Sequence, residues 1–289
     1  MHASPSPQPG PQPTRRTRPA SAVGALLASV AGRNRELVLE LARREVLDRY
    51  AGTTLGSLWA LLTPLLTMAI YVALFGFVFP TRFGGDGSPW LGAALILSGL
   101  VPWIAVADCA SRAPGTLLAH RALVRQVVFP VEVLPAKAAL ASLVPQVVGT
   151  VVGLAIALAT AGPSPMLALL PVLWLVQAAL MLGLMLLLSS LGVWLRDLRE
   201  IVGFLCNVGL YVAPILLLPQ VIDGLPRAAQ LLVAANPFSH MVWCFHDAVV
   251  HQRFAHPWSW LVFPATAAAA LALGARLFAR LKPAMGEAL

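Results

Sequence analysis

Apolar residues fill six long stretches of this chain, near 58–79, 90–111, 138–161, 166–193, 201–219 and 258–279, and charged residues gather between them. A helix needs about 20 mostly apolar residues to cross a bilayer. The pattern therefore predicts an all-α integral membrane protein, with six transmembrane helices in one domain over 33–289. The fourth stretch carries no charge between Met166 and Trp194, so its helix must tilt or project beyond the hydrocarbon.

Two segments follow a different pattern. From Arg33 to Arg49, Leu37, Val38, Leu41 and Leu47 recur at helical spacing, while Glu40 with Arg44 and Glu45 with Arg49 stand four residues apart on the polar side. This predicts an amphipathic helix over about 33–50, lying in the membrane interface and braced by i,i+4 ion pairs. Residues 220–257 are too apolar for a free loop, with Leu231, Leu232, Met241, Val242, Trp243 and Phe245, yet are interrupted by Pro226, Pro237 and Pro257. Short re-entrant helices shielded by protein satisfy both facts.

Composition agrees with a bilayer setting. The 289 residues are 58% hydrophobic and 11% charged, whereas charged residues make up about a quarter of a soluble domain. The net charge of +8 comes almost wholly from arginine, since Lys137 and Lys282 are the only lysines. Basic residues beside spans are what topology requires, so the charge calls for no nucleic-acid partner.

Arg33, Arg35, Arg43, Arg44 and Arg49 precede the first span, Arg112, Arg121, Arg125 and Lys137 follow the second, Arg196 and Arg199 follow the fourth, and Arg276, Arg280 and Lys282 follow the sixth. The opposite connections hold only Arg82, Arg227 and Arg253. Both termini are accordingly expected in the cytoplasm. Residues 1–20 are rich in Pro and Arg and lack an apolar core, and 1–32 is read as a disordered cytoplasmic tail. Cys109, Cys206 and Cys244 are odd in number without C-x-x-C spacing, and read as packing residues.

Few polar residues enter the apolar runs. Asp108 is the one carboxylate there, and Arg112 lies four residues on. An intramembrane charge is a functional candidate by default, but the acid-first spacing favours a local salt bridge. Tyr71, Phe75 and Phe79 share a face of the first span at i, i+4, i+8. His240, His246, His251 and His256 with Asp247 fall in 220–257 without a tight ligand pattern such as H-E-x-x-H. They read as a polar rim rather than a metal site.

Arg49-Tyr50-x-Gly52, Leu55-Gly56-x-x-Trp59 and Pro64 open the first span; Gly99-Leu100-x-Pro102-Trp103 lies in the second. Leu123-Val124-Arg125-x-x-x-Phe129-Pro130-x-Glu132-x-Leu134-Pro135 follows, then Arg196-Asp197, Pro214-Ile215 to Pro219, and Asn236-Pro237. In order and spacing this series resembles the membrane subunit of ABC-type polysaccharide exporters, which move O-antigen, capsule, teichoic acid or galactan chains. Ala51 and Thr63 depart from the pattern, where a basic residue and an asparagine are expected.

The resemblance implies a transmembrane channel in the bacterial plasma membrane, moving lipid-linked polysaccharide from the cytoplasmic to the outer side. It implies a homodimer with two copies of a separate cytoplasmic ATPase. ATP and magnesium would sit on that partner, because neither lysine stands in a G-x-x-x-x-G-K-[ST] loop. This chain itself would carry no catalytic residue, metal or cofactor.

It further implies that Arg121, Arg125, Phe129, Pro130, Glu132 and Pro135, with Arg196 and Asp197, couple to the ATPase; a topology-setting basic loop is the alternative. Arg43, Arg44, Arg49 and Tyr50 would border the substrate entrance, where the arginines meet a pyrophosphate or ordinary lipid. Tyr71, Phe75, Trp59 and Trp103 would line the channel or simply belt the interface. Pro214, Pro219, Asn236 and Pro237 would shape an outer gate. A drug or lipid exporter of the same superfamily, a proton-coupled carrier and a membrane-embedded glycosyl- or acyltransferase are the competing functions.

Overall fold

The computed structural model describes residues 22–74, 89–124, 129–216, 221–222 and 224–288, and these are helical with short connections. The chain enters as α1 (Ala22–Leu27), continues into a π-helical stretch at Ala28–Arg33, and after Asn34 forms α2 (Arg35–Asp48). A tail reaching to 32 is thereby corrected. Leu26 is buried, with Val23 and Val30 beside it, against Ala275, Phe278 and Met285 near the C-terminus. Val38 of α2 packs on Val133 and Ala136.

A 3-10 turn at Gly56–Leu58 leads into α3 (Trp59–Ala73), and α4 (Pro89–Ala119) follows. With 31 residues, α4 is roughly 46 Å long and outruns the hydrocarbon core. It continues beyond the expected 111 to Ala119, with Pro102 and Pro114 inside it. After the short α5 (Arg121–Val124), the third apolar stretch divides into α6 (Val133–Ala141) and α7 (Val144–Thr160), broken at Ser142–Leu143. Pro165–Leu169 is a 3-10 turn leading into α8 (Leu170–Gly192).

The fifth stretch departs from its expected 201–219. Its helix, α9, runs Leu198–Val212 and stops where Ala213 turns extended at ψ 149°. The residue before a proline is pushed out of the helical region, and Pro214 follows. Two short helices, α10 (Arg227–Ala235) and α11 (Pro237–His246), occupy the interrupted segment, with a π-helical turn at Asp247–His251. Finally α12 covers Ser259–Ala288. Among the described residues, five helical stretches are long and apolar enough to cross a membrane: Gly56–Ala73, Trp90–Ala119, Val133–Thr160, Pro165–Gly192 and Ser259–Gly286.

The core runs through α4, with Leu97, Leu100, Val101 and Ala105 packed among Met181 and Met185 of α8 and Met241 and Phe245 of α11. Where lipid replaces water, helices associate through close packing and polar contacts rather than the hydrophobic effect. Both devices are present. A Cβ on Gly183 of α8 would strike the backbone of Ala270 and Leu271 in α12, and one on Gly274 would strike the Gly183 carbonyl. The polar contact is fully buried: Gln146 Nε2 donates to Gln177 Oε1 at 2.7 Å, and Gln177 Nε2 to the Pro102 carbonyl at 2.9 Å, tying α7, α8 and α4.

Gly183→Ala should therefore lower the thermal midpoint of the purified protein in detergent, with a cost of about 1–3 kcal/mol for overpacking. Gly203→Ala, whose added carbon meets nothing within 4 Å, should leave the midpoint unchanged or slightly higher. Equal midpoints would contradict the crossing.

Candidate functional site

A groove of about 400 Å³ opens between α3, α4 and α9. Thr67 and Tyr71 come from α3, Trp103, Ile104, Asp108 and Ser111 from α4, and Cys206, Asn207 and Leu210 from α9. Trp103 is positioned from both sides. A Cβ on Gly209 would overlap its ring, so the glycine makes room for the indole, and Phe238 meets it edge-on at 5.5 Å. The wall thus alternates flat or aliphatic surface with isolated hydroxyl and amide groups. Such a wall can pass an amphipathic chain without gripping one unit of it.

Of the expected lining residues, Tyr71 and Trp103 meet in this groove. Trp59 is half-buried at the start of α3 and does not line it. Phe75 and Phe79 lie outside the described residues.

Asp108 lines the groove toward its end nearer the termini. Arg112 Nε donates to its Oδ1 at 2.6 Å, the local pair that the spacing predicts. Ser142 Oγ donates to Oδ2 at 2.6 Å, and Arg49 Nη1 reaches the same oxygen at 3.3 Å. The break between α6 and α7 therefore places a hydroxyl on the carboxylate. Arg49 is 13% exposed, and its Nε and Nη2 are buried without a protein partner.

The expected Glu45–Arg49 pair is replaced. Glu45 accepts from Lys137 Nζ at 2.7 Å, and Lys137 also lies 3.0 Å from His120 Nε2. Burial pushes the Glu45 carboxyl up, but the Lys137 hydrogen bond and charge outweigh it and hold the group below its ordinary value. The Glu40–Arg44 pair forms as expected at 2.9 Å. Arg43 and Arg44 are exposed, and Tyr50 is half-buried beside them in sequence.

The candidate coupling residues separate into two groups. Glu132 accepts from Lys282 Nζ at 2.7 Å and from Ser29 Oγ at 2.8 Å, so it joins α12 to the N-terminal helices. Burial raises the Glu132 carboxyl, but the hydrogen bonds from Lys282, the backbone and Ser29 together with the Lys282 charge outweigh it, leaving it below the ordinary value. Pro135 is buried in α6, and Phe129 and Pro130 are half-buried. These residues brace the bundle rather than face outward. Arg121, Arg196 and Asp197 are exposed; Arg125 lies outside the described residues.

At the far end, Asn236 caps α11 through Phe238 N at 3.1 Å and Pro237 takes its first turn, a pairing suited to helix starts. Pro214 is buried, and Pro219 lies outside the described residues. Asp247 accepts from His256 N and Nδ1, both at 2.9 Å, and from Trp260 Nε1 at 3.1 Å. His256 also stacks on Trp243 at 5.1 Å. Gln252 donates to the Gly162 carbonyl at 2.8 Å, tying this end to the turn before α8. Asp247, Gln252 and His256 are thus engaged in holding the segment together, whereas Ser239 Oγ and His246 Nε2 are buried without a hydrogen-bond partner.

Sequence reasoning missed the partners of Arg49, Lys137 and Lys282, and missed Gln146 and Gln177 altogether. The usable signal was scarcity: two lysines and one intramembrane carboxylate in so apolar a chain must each find a partner.

Asp108→Ala should destabilise more than Arg112→Ala, since it leaves the enclosed Arg49 without its carboxylate, whereas Arg112 is 42% exposed. A double-mutant cycle on thermal unfolding should give about 1–3 kcal/mol for Arg49–Asp108; zero coupling would contradict the contact. A pH profile tests the two glutamates. Their folded pKa values lie below the unfolded ones, so their contribution is complete above the ordinary carboxylate range and is lost as pH falls through the folded values. Lys137→Met and Lys282→Met should each flatten the acid limb of the stability profile.

Comparison with known proteins adds the lineage. Residues 36–249 match the family described as ABC-2 type transporter. An "O-antigen export system permease protein RfbA" of Myxococcus xanthus is 30% identical over 76% of this chain and 82% of its own length. A Klebsiella pneumoniae protein of the same description is 23% identical over 73% of this chain and 79% of its own. With the family matched across most of its length and around the whole groove, this chain belongs to the ABC-2 type transporters.

Proposed function

We propose that the chain is the membrane-spanning permease subunit of an ATP-driven exporter, carrying lipid-linked polysaccharide outward across the bacterial plasma membrane. The observation that carries the reading is the open groove bearing Tyr71, Trp103, Ser111 and Asn207 in a chain whose relatives are described as O-antigen export permeases. Sugar rings have apolar C–H faces and polar edges. Aromatic faces with scattered hydrogen-bonding groups suit repeated passage of such units better than one tight site.

In this reading α9 acts as the fifth of six spans, and both termini face the cytoplasm. The outer faces of α3 and α9 meet a second copy of the chain. Phe204 and Tyr211 are each 67% exposed and Leu205 is 58% exposed, an apolar face of the kind that a partner helix covers. Arg43 and Arg44, exposed on α2, offer their guanidinium groups to the phosphate groups of the carrier. A separate ATPase, holding ATP and magnesium, docks at the termini end against Arg121, Arg196 and Asp197. Its closure is passed on through the Glu132–Lys282 and Glu45–Lys137 ties.

Affinity purification from native membranes should recover a stoichiometric Walker-type ATPase. Arg121→Glu with Arg196→Glu should reduce its recovery and substrate-stimulated hydrolysis by about tenfold at an unchanged thermal midpoint. A protein recovered alone and active without ATP would overturn the reading.

A further inference from the structure

A second concavity lies on another side of the molecule. It is a slot of about 390 Å³ roofed by Leu27 and Val38 and walled by Leu143, Leu175, Leu182 and Leu271, so that the N-terminal helices, the α6–α7 break, α8 and α12 all contribute. Arg35 alone among its lining residues is charged. From Leu182 to Leu175 the slot follows α8 for roughly 10 Å, across the middle of the span.

The charge at its mouth is unbalanced. Glu40, Glu45 and Glu132 are held by Arg44, Lys137 and Lys282. Arg33 and Arg35 are exposed and form no ion pair among the described residues; nor does Glu36 pair with either. An aliphatic slot lined by Arg35, with Arg33 two residues away and Glu36 as the one carboxylate adjoining them, keeps a net positive charge at that end and is complementary to a molecule with an anionic head and an apolar tail. The protein's own first 21 residues hold no Val, Leu, Ile or aromatic side chain with which to fill it.

We infer that this slot is a binding site for an anionic phospholipid, with one acyl chain lying along α8 beneath the N-terminal helices and the phosphate at Arg35 and Arg33. Arginine is suited to the head because its planar fork matches phosphate oxygens. The bound chain fills the space between the N-terminal helices and α8, and so ties the position of α2 to the membrane. The inference requires that the protein span a membrane and does not rest on polysaccharide as the cargo.

The test uses the full chain in vesicles of phosphatidylcholine and phosphatidylglycerol at three to one, with a photoactivatable group on the acyl chain of either lipid as a trace. Peptides are then mapped by mass spectrometry. Phosphatidylglycerol should label peptides spanning 136–143 and 175–182 more than phosphatidylcholine does, and Arg35→Gln should cut that preference by about fivefold. Ala178→Trp should abolish labelling of these peptides while leaving that of the α7 face bearing Val147 and Val151, both exposed, intact. Ala179→Leu gives a partial loss and serves if the larger residue prevents folding. Equal labelling by the two lipids, labelling indifferent to both fillers, or displacement by a polyprenyl pyrophosphate but not by unlabelled phosphatidylglycerol would each overturn the assignment.

Discussion

The contact of Arg49 with Asp108 joins the end of the amphipathic helix to the longest helix of the bundle, and much of the termini end is arranged around it. A carboxylate in an apolar run cannot remain without a countercharge, because the cost of removing it from water exceeds what packing returns. Asp108 meets that requirement with Arg49, Arg112 and Ser142 together. The same constraint governs Glu45 with Lys137 and Glu132 with Lys282. These three carboxylates hold α2, α4, α6 and α12 in one frame, and the groove between α3, α4 and α9 ends on it.

Such a frame suits transmission. The segment from Phe129 to Pro135 is tied to both ends of the chain through Glu132, which meets Ser29 and Lys282; under the proposed coupling these short contacts, rather than a flexible loop, would carry closure of the ATPase toward α4. At the far end, Asp247, His256, Trp260 and Gln252 hold the short helices against the core by hydrogen bonds that the bilayer could not supply. The groove between α3, α4 and α9 lies between these two ends, and Phe204, Leu205 and Tyr211 give α9 an exposed apolar side.

What the sequence made legible follows the range of the interactions. Long apolar runs placed the helices, and the Asp108–Arg112 and Glu40–Arg44 pairs could be read because four residues on a helix fix the neighbours. Arg49 with Asp108 could not, since the partners are 59 positions apart. Glu45 was assigned to Arg49 for want of any local sign that Lys137 would compete. Leu26 and Val30 were absorbed into the tail because Pro and Arg dominate just before them, although their spacing suits a helix. The early end of α9 was written in Pro214, whose effect on Ala213 is local but was outweighed by the apolar run around it. Tyr71 and Trp103 were paired through resemblance, and packing of Gly209 against the indole supplies the physical reason.

The most direct test of the account is capture of cargo in the groove during turnover. The full complex, reconstituted with its ATPase and a lipid-linked polysaccharide, would carry a photo-crosslinking amino acid at Ile104 or, as reference, at Leu175 in the slot along α8. The account predicts an ATP-dependent glycan adduct at 104 and none at 175. An adduct at 175 alone, or none at 104 while export proceeds, would contradict a path between α3, α4 and α9.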